Sequence, residues 1–157
     1  MSNEIKQALE TISDNFKKLE SKAETINEIS EKWIKALSTG NKVIFCGNGG
    51  SAADSQHLAA ELMGRYKFDR NPLPAMSLTT DTSALTAIGN DYGYECVFSR
   101  PLKGIGKKGD VLVGISTSGN SKNIIAAFET AKELGITTVA FTGNGGGKMK
   151  EIADVTL

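Results

Sequence analysis

Hydroxyl and amide side chains are concentrated in residues 116–121, whose sequence is Ser-Thr-Ser-Gly-Asn-Ser. Five of these six residues carry a hydroxyl or an amide, and the stretch joins an apolar segment to an amphipathic one. A phosphate monoester presents three oxygens, which several converging donors at a helix N-terminus can surround. The alternative is an ordinary polar turn with an N-cap, although capping needs fewer such residues. The stretch therefore predicts a phosphate cradle, the name used below for residues 116–121.

A glycine-rich loop, Gly-Asn-Gly-Gly-Ser at residues 47–51, follows another apolar segment and precedes a helical one. Its spacing Gly47-x-Gly49-x-x-Ala52 matches the dinucleotide fingerprint. The acidic residue expected about twenty positions later is absent, since Asp81 follows Ala52 by 29 residues. The loop also lacks the Gly-Lys-Ser/Thr of a P-loop. We call it the first loop and expect it to bind a ligand at the carboxyl ends of the strands.

His57 and Glu61 lie four residues apart in the predicted helix after the first loop, so they share one helix face. Such a pair suits two ligands of a transition metal, or a base with an orienting partner. The alternative is a surface His–Glu pair with no chemical role. His57 is the only histidine in the chain, which excludes a His-rich metal site or a His-based triad within one subunit. Asp81 and Arg65, taken alone, are more typical of cap or turn residues.

The elements that must position these residues alternate between apolar strands and amphipathic helices. That alternation predicts an α/β fold with a doubly wound parallel sheet flanked by helices. We expect a single domain over 1–157, with a helical segment at 1–40 and an α/β core at 41–157. The predicted strands are 42–46, 75–78, 111–115, 137–142 and 155–157, and the predicted helices are 52–63 with Ser51 as N-cap, 82–88, 92–103, 122–134 and 148–153.

The first forty residues contain no proline and no glycine before Gly40. Apolar side chains recur there at alternating spacings of four and three, which predicts a long helix with one narrow apolar face. Such a stripe is typical of helix–helix contact, here with a partner subunit, and the alternative is packing on its own domain. We call this face the N-terminal seam: Ile5, Leu9, Ile12, Phe16, Leu19, Ala23 and Ile26, continued by Ile29, Trp33 and Leu37.

Composition excludes several classes of function. The 157 residues include 18 Lys plus Arg and 18 Asp plus Glu, so the chain lacks the positive field that non-specific nucleic-acid binding requires. No apolar run is long enough to span a bilayer, and no secretory signal pattern opens the sequence. Cys46 and Cys96 have no metal or redox spacing, so we expect two buried thiols. We therefore expect a cytoplasmic protein whose partners include neither nucleic acid nor a membrane.

Four ordered motifs together resemble the phosphoheptose isomerases of the sugar-isomerase (SIS) domain superfamily. They are CGNGGSAAD at 46–54, HLAAELMGRY at 57–66, IGNDYG at 88–93 and GISTSGNS at 114–121. The resemblance implies a cytoplasmic, tetrameric enzyme with active sites between subunits. It also implies that the enzyme interconverts sedoheptulose 7-phosphate and D-glycero-D-manno-heptose 7-phosphate, on the way to heptoses for lipopolysaccharide or related glycans.

The resemblance also implies roles for individual residues. Glu61 matches both a zinc ligand and the proposed base, and His57 matches a second zinc ligand. The matched substrate contacts are Asn48, Gly49 and Gly50 in the first loop, Asn90 and Asp91 in the third motif, and Ser116, Thr117, Ser118 and Ser121 in the phosphate cradle.

The family continues with a helix whose Gln and His complete the zinc set, so we expect the natural domain to extend beyond Leu157. Two other functions remain open at this stage. One is a partner-binding relative of the type that associates with bacterial replication initiators, and the other is a sugar-phosphate sensor without catalysis. A pure partner protein needs no base at position 61, so the presence of His57 with Glu61 favours the enzyme.

Overall fold

The computed structural model describes residues 2–143 and 145–157 and contains one five-stranded parallel sheet in the order β2-β1-β3-β4-β5. The strands are β1 Val43–Gly47, β2 Ala75–Ser77, β3 Val111–Ser116, β4 Thr137–Thr142 and β5 Val155–Thr156. The helices are α1 Ser2–Leu19, α2 Ala23–Ser38, α3 Gly50–Met63, α4 Thr82–Tyr92, α5 Ser99–Ile105, α6 Lys122–Leu134 and α7 Gly147–Ile152. The doubly wound parallel sheet predicted from the sequence is confirmed.

The strands β1 and β3 are parallel neighbours in the sheet. From β1 the chain first adds β2 on one side, and it then crosses to the other side of β1 to add β3, β4 and β5. In open α/β sheets this switch point leaves a crevice at the carboxyl ends of the two strands, where ligands bind. The first loop follows β1 and the phosphate cradle begins at the end of β3. The topology therefore places the two polar loops side by side.

Each face of the sheet has its own apolar core. Side chains alternate along a strand, so Ile44 and Cys46 of β1 face the core that contains Phe128 of α6. Val43 and Phe45 face the opposite core. Complete burial raises the pKa of the Cys46 thiol to about 12, so this cysteine stays protonated and inert at neutral pH. Cys96 is only partly buried, and the prediction that both thiols are buried is wrong for it.

The N-terminal seam changes its environment along its length. Its last part packs on the sheet, where Ile29 is buried and the Trp33 ring meets Phe45 edge-on at 5.5 Å between centroids. The earlier part belongs to α1, none of whose described residues is buried. Leu9 is 63% exposed and Phe16 is 69% exposed. A 3-10 turn at Glu20–Lys22 separates the two helices. The subunit contact therefore stays a prediction, and the structure leaves its apolar face uncovered within one chain.

Two predicted boundaries are wrong because of glycine, and α4 also runs to Tyr92, four residues beyond the predicted end at residue 88. Gly49, with φ of 57°, occupies the N-cap position of α3, so Ser51 lies inside the first turn and does not cap the helix. Gly93, with φ of 88°, ends α4 and divides the predicted helix 92–103 into a 3-10 turn at Tyr94–Cys96 and the helix α5. Positive φ costs glycine little, so the chain bends sharply at these two positions.

Candidate active site

The phosphate cradle and the first loop line one cavity of about 250 Å³ at the carboxyl ends of β1 and β3. Among the described residues that line the cavity, none carries a charge. The donors that the cavity offers to an anion are its hydroxyl groups and the unpaired first-turn N–H groups of α6. The lining residues are Asn48, Ser51, Ile115, Ser116, Thr117, Ser118 and Ser121.

The cradle serines converge on one another and leave the helix uncapped. Ser121 occupies the N-cap position of α6, but its side chain makes no capping hydrogen bond. Its Oγ lies 2.9 Å from the Oγ of Ser116, which is itself 3.5 Å from the Oγ of Ser118. The alternative of an ordinary capped turn is therefore wrong for Ser121. Three hydroxyl groups are gathered in one place, as binding of a phosphate monoester requires.

A second glycine-rich segment, which contains Gly143, Gly145, Gly146 and Gly147, supports the back of the cradle. Gly119 has a φ of 64°, and a Cβ at this position would collide with the carbonyl of Gly146. Asn120 reinforces the contact, because its Oδ1 accepts the Lys148 N–H at 3.0 Å and its Nδ2 donates to the Ser118 carbonyl at 2.9 Å. The glycines of this segment permit the close approach of the two loops.

Asn48 connects the first loop to the cradle helix. Its Nδ2 donates to Asn123 Oδ1 at 3.0 Å, and its Oδ1 accepts from Asn123 Nδ2 at 2.8 Å. The hydroxyl of Tyr94 donates to the same Asn48 oxygen at 3.2 Å. Sequence reasoning missed both partners, because Asn123 and Tyr94 lie just beyond the ends of the motifs at 114–121 and 88–93. The available signal was the position of Asn123, two positions after Ser121 in a helix whose other buried residues, except Thr130, are apolar.

His57 and Glu61 form the expected pair on α3, with 3.7 Å between Nε2 and Oε1. The His57 side chain is 73% exposed and that of Glu61 is 33% exposed. The helix end that carries them is held by Arg70, whose guanidinium donates to the carbonyls of Glu61 and Leu62. Glu61 follows Ser51 by ten residues in the same helix, a rise of about 15 Å. Neither His57 nor Glu61 lines the cradle cavity.

Asn90 and Asp91 are exposed at the end of α4, where Asn90 Nδ2 donates to Asp91 Oδ1 at 2.8 Å. Neither residue lines the cradle cavity. Asp81 acts as the N-cap of α4 by accepting the Ala84 N–H at 2.9 Å, as its position suggested. The structure thus separates the predicted site residues into three groups: the cradle with the first loop, the pair on α3, and the pair at the end of α4.

Comparison with known proteins agrees with this geometry. The SIS domain model matches residues 7–143, which include the first loop, the α3 pair and the cradle. A phosphoheptose isomerase from Akkermansia muciniphila is 59% identical over the whole of this chain, which spans 83% of that relative. This chain belongs to the phosphoheptose isomerase family. The resemblance stated from the four motifs is confirmed.

Two other phosphoheptose isomerases also match almost the whole of this chain. The one from Aliarcobacter butzleri is 55% identical over 98% of this chain and 81% of its own length. The solved phosphoheptose isomerase from Neisseria gonorrhoeae is 44% identical to this chain and superposes on it with a TM-score of 0.90. The match covers 99% of this chain and 83% of the Neisseria chain. Within the described residues, no helix has the length and apolarity needed to cross a bilayer.

The zinc expected in a phosphoheptose isomerase fits the α3 pair in part. Two ligands at about 2.1 Å in tetrahedral geometry hold their donor atoms roughly 3.4 Å apart. The His57–Glu61 separation of 3.7 Å is close to that spacing. Among the residues described, no cluster of three His, Cys, Asp or Glu side chains could hold a metal ion. The pair thus offers two donor atoms at a spacing that a zinc ion accepts.

Proposed function

We propose that this protein interconverts sedoheptulose 7-phosphate and D-glycero-D-manno-heptose 7-phosphate. The observation that carries the proposal is the uncharged hydroxyl cradle at the switch point of the sheet, in a chain of the phosphoheptose isomerase family. The cradle residues Ser116, Thr117, Ser118 and Ser121 hold the phosphate in this proposal, and Asn48, Gly49 and Gly50 contact the sugar. The product serves heptose synthesis for lipopolysaccharide or related glycans, and the enzyme works in the cytoplasm.

Glu61 is the base in this proposal. Isomerisation between an aldose and a ketose moves a proton between two adjacent carbons through an enediol, so one base must remove the proton and return it. A carboxylate can do both steps, and Glu61 is partly buried on a helix whose end is fixed by Arg70. His57 and Glu61 are also the proposed ligands of one zinc per subunit, and zinc supplies electrostatic stabilisation of oxygens on which negative charge develops.

The lining of the cradle cavity favours an active site shared between subunits. Glu61, Asn90 and Asp91 do not line this cavity. The resemblance to the phosphoheptose isomerases also implies active sites between subunits. We therefore propose that the Glu61 next to a given cradle, and the Asn90–Asp91 pair with it, come from neighbouring subunits of a tetramer.

Turnover in deuterated water tests the proposed function. The full-length protein, incubated with sedoheptulose 7-phosphate in D₂O, is expected to form the aldoheptose phosphate and to incorporate solvent deuterium at the carbon that exchanges its proton. Mass spectrometry of the sugar phosphate measures both. Binding of the sugar phosphate without exchange would favour the sensor, and absence of both binding and exchange would favour the partner-binding protein.

Charge on the N-terminal seam is expected to dissociate the oligomer. Leu9→Asp together with Leu19→Asp buries unpaired carboxylates in the proposed helix contact, a cost of several kcal/mol for each subunit pair. Light scattering should therefore report a mass lower than that of the parent protein. Both leucines are exposed within one chain, so circular dichroism should remain unchanged.

The matched control is Gln7→Asp together with Thr11→Asp, which adds the same charge to the opposite side of α1, where both residues are exposed. This variant should keep the parent mass. If the seam variant kept that mass as well, α1 would have to contribute nothing to subunit contact.

A further inference from the structure

The Asn48 carboxamide has almost no freedom to choose a hydrogen-bond partner. A carboxamide oxygen accepts two hydrogen bonds and its nitrogen donates two. Both acceptor positions of Asn48 are taken, by Asn123 Nδ2 at 2.8 Å and by the Tyr94 hydroxyl at 3.2 Å. One of its two N–H groups is taken by Asn123 Oδ1 at 3.0 Å. Within the described part of the chain, Asn48 therefore has a single N–H left to offer.

Asn123 is placed to fix the orientation of the Asn48 carboxamide. It is a polar residue only 4% exposed, in the first turn of α6, and its carboxamide meets Asn48 with both of its heteroatoms. Buried amides are costly unless their hydrogen bonds are made, so each of the two residues holds the other in one orientation. Since Asn123 lies two positions beyond Ser121, the pair also ties the first loop to the cradle helix.

We propose that Asn123, assisted by Tyr94, is a positioning residue that locks Asn48 as a one-proton donor aimed at an acceptor oxygen of the sugar phosphate. This inference rests on the proposed function, because Asn48 contacts the substrate only in that proposal. It goes further because it assigns roles to Asn123 and Tyr94, which lie outside the four motifs. It also states that the substrate atom at Asn48 accepts a hydrogen bond and does not donate one.

A double-mutant cycle between Asn48 and Asn123 tests the lock. Asn48→Ala and Asn123→Ala are each expected to raise the KM for the sugar phosphate about tenfold, with kcat within twofold of the parent. In the Asn48→Ala background, Asn123→Ala should add less than a twofold effect, because the residue through which it acts is gone. The inhibition constant of inorganic phosphate should stay within twofold throughout, since the cradle serines are untouched.

Tyr94→Phe is the second variant, since it removes one hydroxyl from an exposed ring and leaves the fold intact. It should raise KM about threefold in the parent and leave KM unchanged in Asn48→Ala. The control is Asn71→Ala, an exposed asparagine in the segment between α3 and β2, which should match the parent. Thermal unfolding of each variant identifies any that is not folded, and Tyr94→Phe then decides the test.

The proposal would be overturned if the effects of Asn48→Ala and Asn123→Ala on KM multiplied in the double variant. It would also be overturned by a parallel loss of affinity for inorganic phosphate, which would indicate damage to the first turn of α6. Failure of the proposed function gives a different result, namely a parent protein that does not isomerise the sugar phosphate. In that case calorimetry measures the dissociation constant of the sugar phosphate for each variant of the same cycle. An additional loss of affinity of less than twofold in the double variant still supports the lock, and a multiplicative loss of affinity still overturns it.

Discussion

Replacement of Ser118 and Ser121 together by alanine is expected to weaken sugar-phosphate binding by at least about 100-fold. Each serine hydroxyl in the cradle donates a hydrogen bond to an anion in the proposed complex, and losing one such bond costs about 1.5–3 kcal/mol. No charged side chain among the described lining residues is available to compensate. Isothermal calorimetry with the sugar phosphate, and with inorganic phosphate alone, measures the loss.

Stability should change little in this variant, because Ser121 does not cap α6 and Ser118 bonds only within its own loop and to Ser116. Ser38→Ala is the matched control: it removes a hydroxyl that bonds an exposed helix carbonyl at the end of α2. The control should bind phosphate like the parent. Undiminished phosphate binding by the double variant would move the anion site away from residues 116–121.

Much of the fold could be predicted because local pattern and tertiary position agree. The bounds of α6 and β4 matched the prediction residue for residue. The six residues of β4, Thr-Thr-Val-Ala-Phe-Thr, are mostly β-branched or aromatic, as is typical of a strand, and α6 is an amphipathic run that Gly135 closes. The α4–α5 region was predicted less well. Its polarity pattern continues through Gly93, whereas the backbone turns there with a positive φ that no periodicity of side chains reports.

The candidate site divides in the same way. The cradle was predictable because its six residues adjoin in sequence and share one chemistry. The Asn48–Asn123 pair was not predictable, since its members lie 75 residues apart and meet only because β1 and β3 are neighbours in the sheet. The separation of Glu61 from the cradle was likewise hidden. It follows from the length and direction of α3, and only the structure relates that helix to the cradle.

Glu61→Gln is expected to lower the rate of proton exchange by 10²–10⁴-fold, the loss typical of removing a general base. The amide keeps the shape of the carboxylate but has neither its charge nor its basicity. Sugar-phosphate affinity should persist, because the cradle still holds the phosphate. Zinc affinity should fall, since a neutral amide is a poorer ligand than a carboxylate. Deuterium incorporation from D₂O measures the rate, and competition with a zinc-sensitive dye measures the metal.

Glu129→Gln provides the control, because it makes the same change on an exposed position of α6 and should exchange like the parent. An exchange rate in Glu61→Gln equal to that of the parent would remove Glu61 from the mechanism. A rate loss with normal zinc affinity would keep Glu61 as the base and remove it from the metal site.

Mixing two inactive variants tests whether Glu61 serves the cradle of another subunit. Glu61→Gln subunits retain an intact cradle, and Ser118→Ala/Ser121→Ala subunits retain an intact Glu61. When equal amounts are dissociated and reassembled together, about a quarter of the sites in a shared arrangement combine a parent Glu61 with a parent cradle, so about a quarter of the parent activity should return. If both residues had to come from one chain, no site in the mixture would be complete and activity would stay at the level of the separate variants. Because Glu61 does not line the cradle cavity of its own chain, we expect recovery.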